Sequence, residues 1–133
     1  MIKLIVGKKG SGKTKQLIDL MNAAVAKDHG SIVCVEKGAK LTYDISHAIR
    51  LVDVEHYSVV GYEAFYGFIA GILAGNYDIT DLFIDSVLKI GSADLTALGD
   101  FLDKISALDT EASITLTVSA DASELPESVK KYL

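Results

Sequence analysis

The chain has 133 residues, half of them apolar and 23% charged, with a net charge of −5, which suits one globular domain with a buried core. Arg50 is the one arginine in the whole sequence. No basic stripe of the kind that displaces counterions from phosphates is visible, so nucleic acid is not an expected partner.

In chain order, short apolar runs alternate with longer stretches of helical period. Residues 2–6, apolar apart from Lys3, predict a buried strand. It is too short for a secretory signal core, and no run in the chain approaches the ~18 apolar residues that span a bilayer, so no membrane partner and a cytoplasmic location are expected. Residues 13–27 predict a helix, because Leu17, Ile18, Leu20, Met21, Ala24 and Val25 share one broad face. Residues 31–35 predict a second strand carrying the lone Cys34, which reads as a small buried side chain in a reducing compartment.

Further on, residues 43–48 are assigned a short helix and 49–54 a strand. A helix follows over 63–74, stopped by Gly75 and Asn76. Residues 81–86 predict a strand, and 93–108 a helix whose Leu95, Leu98, Phe101, Leu102, Ile105 and Leu108 keep the 3.6-residue period. The β-branched stretch 113–119 predicts the last strand. A short terminal helix over 127–132 enters through Pro126. Strands alternating with helices imply a mostly parallel sheet covered on both faces, in a single domain over 1–133.

Between the first strand and the first helix lies Gly7-Lys8-Lys9-Gly10-Ser11-Gly12-Lys13-Thr14, which satisfies G-x-x-x-x-G-K-[ST] without departure. Each position has a chemical task. The glycines allow positive φ and close approach of the backbone to phosphate. Successive N–H groups then form an anion nest, backed by the positive end of the helix dipole. The Lys13 ammonium meets the β- and γ-phosphates, and the Thr14 hydroxyl ligates Mg²⁺. A glycine-rich turn before a helix would account for the glycines but not for Lys13 and Thr14.

These eight residues resemble the Walker A motif of the P-loop NTPase superfamily. The resemblance implies an α/β fold, a compact three-layer P-loop domain with a mostly parallel sheet of about five strands, and ATP or another nucleoside triphosphate with Mg²⁺ as its ligands. It also implies an acid at the tip of another strand to hold the metal through water. Leu82-Phe83-Ile84-Asp85 looks like that Walker B strand, with Asp85 as the acid. The order of elements resembles the RecA-like branch, or the thymidine-kinase-like proteins allied to it, although zinc-binding cysteines and a substrate lasso of the thymidine-kinase type are absent.

In the RecA-like branch a glutamate that polarises water often follows the Walker B acid, whereas Ser86 stands there. Glu36, at the end of the second strand, is the substitute candidate, the alternative being a solvated turn acid. Ser119, ahead of Thr117, is the candidate γ-phosphate sensor. Lys13, Glu36 and Ser119 thus form the candidate catalytic set, Gly7 to Thr14 the binding set, and Thr14 with Asp85 the metal set. Arg50 reads more readily as a surface residue than as an arginine finger. The three histidines share no metal-ligand spacing, and the aromatics Tyr57, Tyr62, Phe65, Tyr66 and Phe68 read as core packing.

The expectation is therefore a nucleotide- and Mg²⁺-binding protein with slow or partner-stimulated hydrolysis, acting as a switch or an assembly subunit. A homo-oligomer, or a protein partner supplying a catalytic charge, would complete the open nucleotide face. The alternatives are a small-molecule or nucleotide kinase, which the lack of arginines disfavours, and a non-catalytic nucleotide-binding interaction module.

Overall fold

The computed structural model describes residues 1–133 apart from Asp28 and Tyr43. Five strands, β1 (Ile2–Gly7), β2 (Ser31–Glu36), β3 (Ile49–Asp53), β4 (Ile79–Ile84) and β5 (Ser113–Ser119), form one sheet in the order β1-β5-β4-β2-β3. Every strand pairing is parallel, so all carboxyl ends meet at one edge, where α/β folds gather their ligand-binding loops. Strand β5 separates the strand leading into Gly7 from the strand leading into Asp85.

The period of two along each strand builds two different faces. On one, Val33, Val35, Leu82, Ile84, Ile114, Leu116 and Val118 are buried beneath four helices. These are α2 (Tyr62–Gly75), α3 (Val87–Ile90), α4 (Leu95–Ser106) and α5 (Glu127–Lys130). On the other face, Ile32, Cys34, Ile49 and Phe83 pack against Leu17 and Met21 of α1 (Lys13–Lys27) and against Leu41. The result is a three-layer α/β domain.

Helix α4 shows why these elements form. Its Leu98, Phe101, Leu102 and Ile105 are all buried, each worth roughly 1.5–3 kcal/mol against exposure. The Asp94 carboxylate caps it, accepting from Thr96 N at 3.0 Å and Ala97 N at 3.2 Å, which satisfies two otherwise orphan donors. The aromatic cluster is largely core: Phe65 is fully buried and stacks on Phe101 at 5.4 Å, and Tyr62 reaches the same ring at 5.2 Å. Tyr57 remains exposed while its ring meets Phe68 at 5.6 Å.

Two sequence expectations need correction. The helix expected over 43–48 is not found: described residues 44–48 form turns and bends, and Tyr43 lies outside the described residues. The cause is local competition for backbone groups. Ser46 Oγ accepts from Ala48 N at 3.1 Å, Thr42 Oγ1 donates to Ala39 O at 3.2 Å, and the Leu41 amide is already held by Glu36. The strand expected over 81–86 runs instead over Ile79–Ile84, and Ser86 turns to φ 58°. That turn starts α3, which periodicity over four residues could not reveal.

Candidate functional site

Strand β1 delivers the chain into the loop, and α1 takes it away from Lys13. Gly10 and Gly12 adopt φ of 84° and 86°, the left-handed region that side chains with a Cβ rarely enter. Ser11 N donates to Lys8 O at 3.1 Å and Gln16 N to Gly12 O at 3.1 Å, so the loop closes just as the helix opens. The Lys13 side chain is only 7% exposed. Its Nζ donates to Lys8 O at 2.9 Å and lies 3.5 Å from Ser11 Oγ. The ammonium therefore sits inside the bend.

Four functional side chains come from the sheet face that α1 covers. The register pairs Val6 with Val118 and Gly7 with Ser119, and Phe83 with Thr115. Two residues further along, Asp85 stands level with Thr117, and Asp85 N donates to Val35 O at 3.0 Å, placing it beside Glu36. Asp85 is 7% exposed and faces Thr14, whose Oγ1 lies 3.4 Å from Oδ1 and 3.5 Å from Oδ2. The hydroxyl and the carboxylate assigned to the metal from sequence thus meet across the start of α1.

Thr117 is the residue whose importance sequence reasoning underrated. Its hydroxyl donates to Asp85 Oδ1 at 2.7 Å and accepts from Ser86 N at 2.6 Å. That pair of bonds fixes the carboxylate and offsets the left-handed turn at Ser86, which costs roughly 1 kcal/mol. Ser119, the residue preferred from sequence, lines the same cavity but is exposed.

Glu36 is 2% exposed, so it is not a solvated turn acid. Its Oε2 accepts from Leu41 N at 3.1 Å, whereas Oε1 is buried without a hydrogen-bond partner. Burial raises its pKa above the ordinary carboxylate value. The Leu41 and Lys40 N–H groups oppose that rise, and the carboxylates of Asp85 and Asp53 add to it. A buried acid with an orphan oxygen beside a second acid is the kind of arrangement found where a proton or a polar ligand is handled. The Cys34 thiol, also buried, has its pKa pushed up by burial first and then by Glu36 and Asp85.

A cavity of about 400 Å³ opens beside Thr14 and Thr117, lined by Lys9, Gly10, Gly12, Lys13, Thr14, Lys15, Ser86, Lys89, Thr117 and Ser119, with Asp85 and Glu36 behind that lining. Four ammonium groups and no carboxylate line it, which is the chemistry of a polyanion site. The donor set fits Mg²⁺ held by one hydroxyl, one nearby carboxylate, phosphate oxygens and water, since that ion seldom takes an all-protein cage. Among the described residues no group of three His, Cys, Asp or Glu could hold a metal ion by itself. Arg50 lies exposed on edge strand β3, level with Val33 and outside the cavity lining. Among the described residues, no helix is long and apolar enough to cross a membrane.

No family model matches the chain, and no curated protein matches it. Among solved structures, the chain is similar to the flagellar accessory protein FlaH from Methanocaldococcus jannaschii, with a TM-score of 0.59 and 19% sequence identity. The match covers 98% of this chain and 65% of that one, so the chain spans less than two thirds of that protein's length. At that identity the likeness shows the fold: a parallel α/β sheet compatible with the P-loop, RecA-like class.

Proposed function

We propose that the chain binds a nucleoside triphosphate, ATP first, with Mg²⁺, and hydrolyses it slowly or under a partner's stimulus. It would thereby serve as a cytoplasmic switch or assembly subunit. The observation that carries this reading is the Thr14 hydroxyl standing 3.4 Å from the Asp85 carboxylate at the mouth of a lysine-lined loop. The likeness in fold to a flagellar accessory protein supports an accessory role in a larger assembly.

In this reading the N–H groups of Gly7 to Thr14 bind phosphate oxygens, and the Lys13 ammonium leaves Lys8 O to join them. Thr14 and Asp85 hold Mg²⁺, which supplies charge neutralisation and alignment of the phosphates. Thr117 keeps the Asp85 carboxylate from rotating. Glu36 is the candidate base: its buried Oε1 would take the proton of the attacking water once nucleotide binding shifts the side chain into reach of the cavity. A raised pKa suits that task, since a stronger base removes a proton more readily. Ser119 contributes a hydroxyl at the rim. No arginine of this chain enters the cavity lining, so the intrinsic rate is slow, and a second copy or a protein partner is the source of any further charge.

Calorimetric titration with ATP or GTP in the presence of Mg²⁺ tests the binding, and product analysis with γ-labelled ATP tests the chemistry. Asp85→Ala should weaken nucleotide binding when Mg²⁺ is present and leave it little changed in its absence. Released phosphate supports hydrolysis, and label on an acceptor would mean a kinase. Bound nucleotide left intact would mean a non-catalytic module. The reading is lost if the folded chain shows no response to millimolar ATP or GTP with Mg²⁺.

A further inference from the structure

The amino edge of the sheet, opposite the Gly7–Thr14 loop, carries a groove of about 830 Å³, larger than the cavity beside Thr14. Its floor is apolar, formed by Ala70, Leu73 and Ala74 of α2, Ile79 at the start of β4 and Leu108 just past α4. The groove continues past Tyr77 and Thr80 into a second hollow of about 440 Å³, bounded by His29, Ser31 and Asp78. Tyr77, shared by both hollows, is 96% exposed.

The formal charges along this track are of one sign. Asp109 and Glu111 line the groove and Asp78 the second hollow, and no lysine or arginine lines either. Among the described residues none of these three acids forms an ion pair. Helix α2 ends here without a basic residue in its last turn, so the negative end of its dipole adds to the same field. An exposed tyrosine and an apolar floor supply affinity for a protein partner, while charges at the rim select which partner is accepted. The shape argues against a small ligand. Two linked hollows make a track longer than the single concave pocket that such a molecule fills.

We propose that this track docks a basic segment of a protein partner. The segment seats an apolar side chain on Leu73, Ile79 and Leu108 while its lysines or arginines meet Asp78, Asp109 and Glu111. Asp78 precedes β4, and Asp109 and Glu111 precede β5, whereas the loop that leaves β1 and Asp85 past β4 lie at the opposite edge. A partner held on the track therefore leaves the lysine-lined cavity uncovered. The inference is independent of the nucleotide-binding reading, and the two fail by different measurements.

The probe is a short fluorescein-labelled peptide of alternating leucine and arginine, followed by fluorescence anisotropy, with a counterpart carrying glutamate for arginine. The basic peptide should bind and should weaken as salt rises, and the acidic one should not bind. The double variant Asp109→Asn/Glu111→Gln should weaken binding by about tenfold, the value of two lost rim ion pairs. Tyr77→Ala should weaken it by a similar factor, about tenfold, through loss of the aromatic contact. The control is Glu55→Gln/Glu63→Gln, which makes the same change in net charge near the opposite edge and should leave binding within about twofold of the parent. All five side chains are exposed, so the folds should survive, and melting temperatures check that. Equal weakening by the two double variants would mean bulk attraction to an acidic protein and overturns the proposal. So does equal binding of the acidic peptide, or no binding of the basic peptide by the unsubstituted chain.

Discussion

The two faces of the sheet are built from alternate residues of the same five strands and do different work. On the face beneath α2 to α5, apolar side chains continue to the carboxyl ends: Val35, Ile84 and Val118 are all fully buried. On the face beneath α1, the corresponding ends turn into Glu36, Asp85, Thr117 and Ser119. Their neighbours one residue back carry the core, so a polar site can be assembled without thinning it. Stability and chemistry are interleaved at a period of two rather than assigned to separate regions.

Substitutions on either face should therefore have separable effects. The largest is Phe101→Ala on the thick face, which removes a ring stacked on Phe65. It should lower unfolding free energy by about 3–5 kcal/mol in chemical denaturation while leaving nucleotide affinity of the folded fraction unchanged. Lys13→Ala on the other face should do the reverse. Nucleotide affinity should fall by about a hundredfold or more in calorimetry, with little change in the melting temperature of the ligand-free chain. Thr117→Val tests the boundary between the two roles. It strips Asp85 of a donor and leaves Ser86 N–H without its acceptor, so it should cost about 1–2 kcal/mol and also weaken Mg²⁺-dependent binding.

Glu36→Gln sharpens the comparison through pH. The folded-state pKa of Glu36 lies above its ordinary value of 4.5, so the native state holds the proton more tightly than the unfolded chain. The carboxyl is then harmless to stability below pH 4.5 and becomes a penalty as pH rises through the raised value. The variant should melt a few degrees higher than the parent near neutral pH, with the gap closing on acidification. Any nucleotide turnover should fall, as is usual when a strained functional group is relaxed.

The loop from Gly7 to Thr14 was legible because its chemistry is contiguous: one local bend supplies glycines, ammonium and hydroxyl in order. The strands and long helices were legible for a similar reason, since period and length lie within one segment. What escaped depends on register or on convergence. Thr117 and Ser119 share a face, and only the pairing of Phe83 with Thr115 shows which is level with Asp85. Glu36 and Asp85 are far apart in sequence and become neighbours only once β2 and β4 pair. The 43–48 stretch was misjudged because Thr42 and Ser46 bind nearby backbone groups, a preference that a helical pattern conceals. Glu36 was named from its place at a strand end, but the bare Oε1 that distinguishes it from a turn acid is a property of packing alone.

Two strand-end carboxylates hold the start of the segment that follows β2, Asp53 Oδ1 accepting from Gly38 N at 2.8 Å and Glu36 Oε2 from Leu41 N at 3.1 Å. Glu36 Oε2 holds Leu41 N, and Leu41 in turn plugs the core beneath α1. A partner bound at Oε1 would leave that anchor in place, whereas rotating the side chain away from Leu41 would release it. The two oxygens of one strand-end acid thus have separate places, one spent on the backbone that seats Leu41 and one left without a partner.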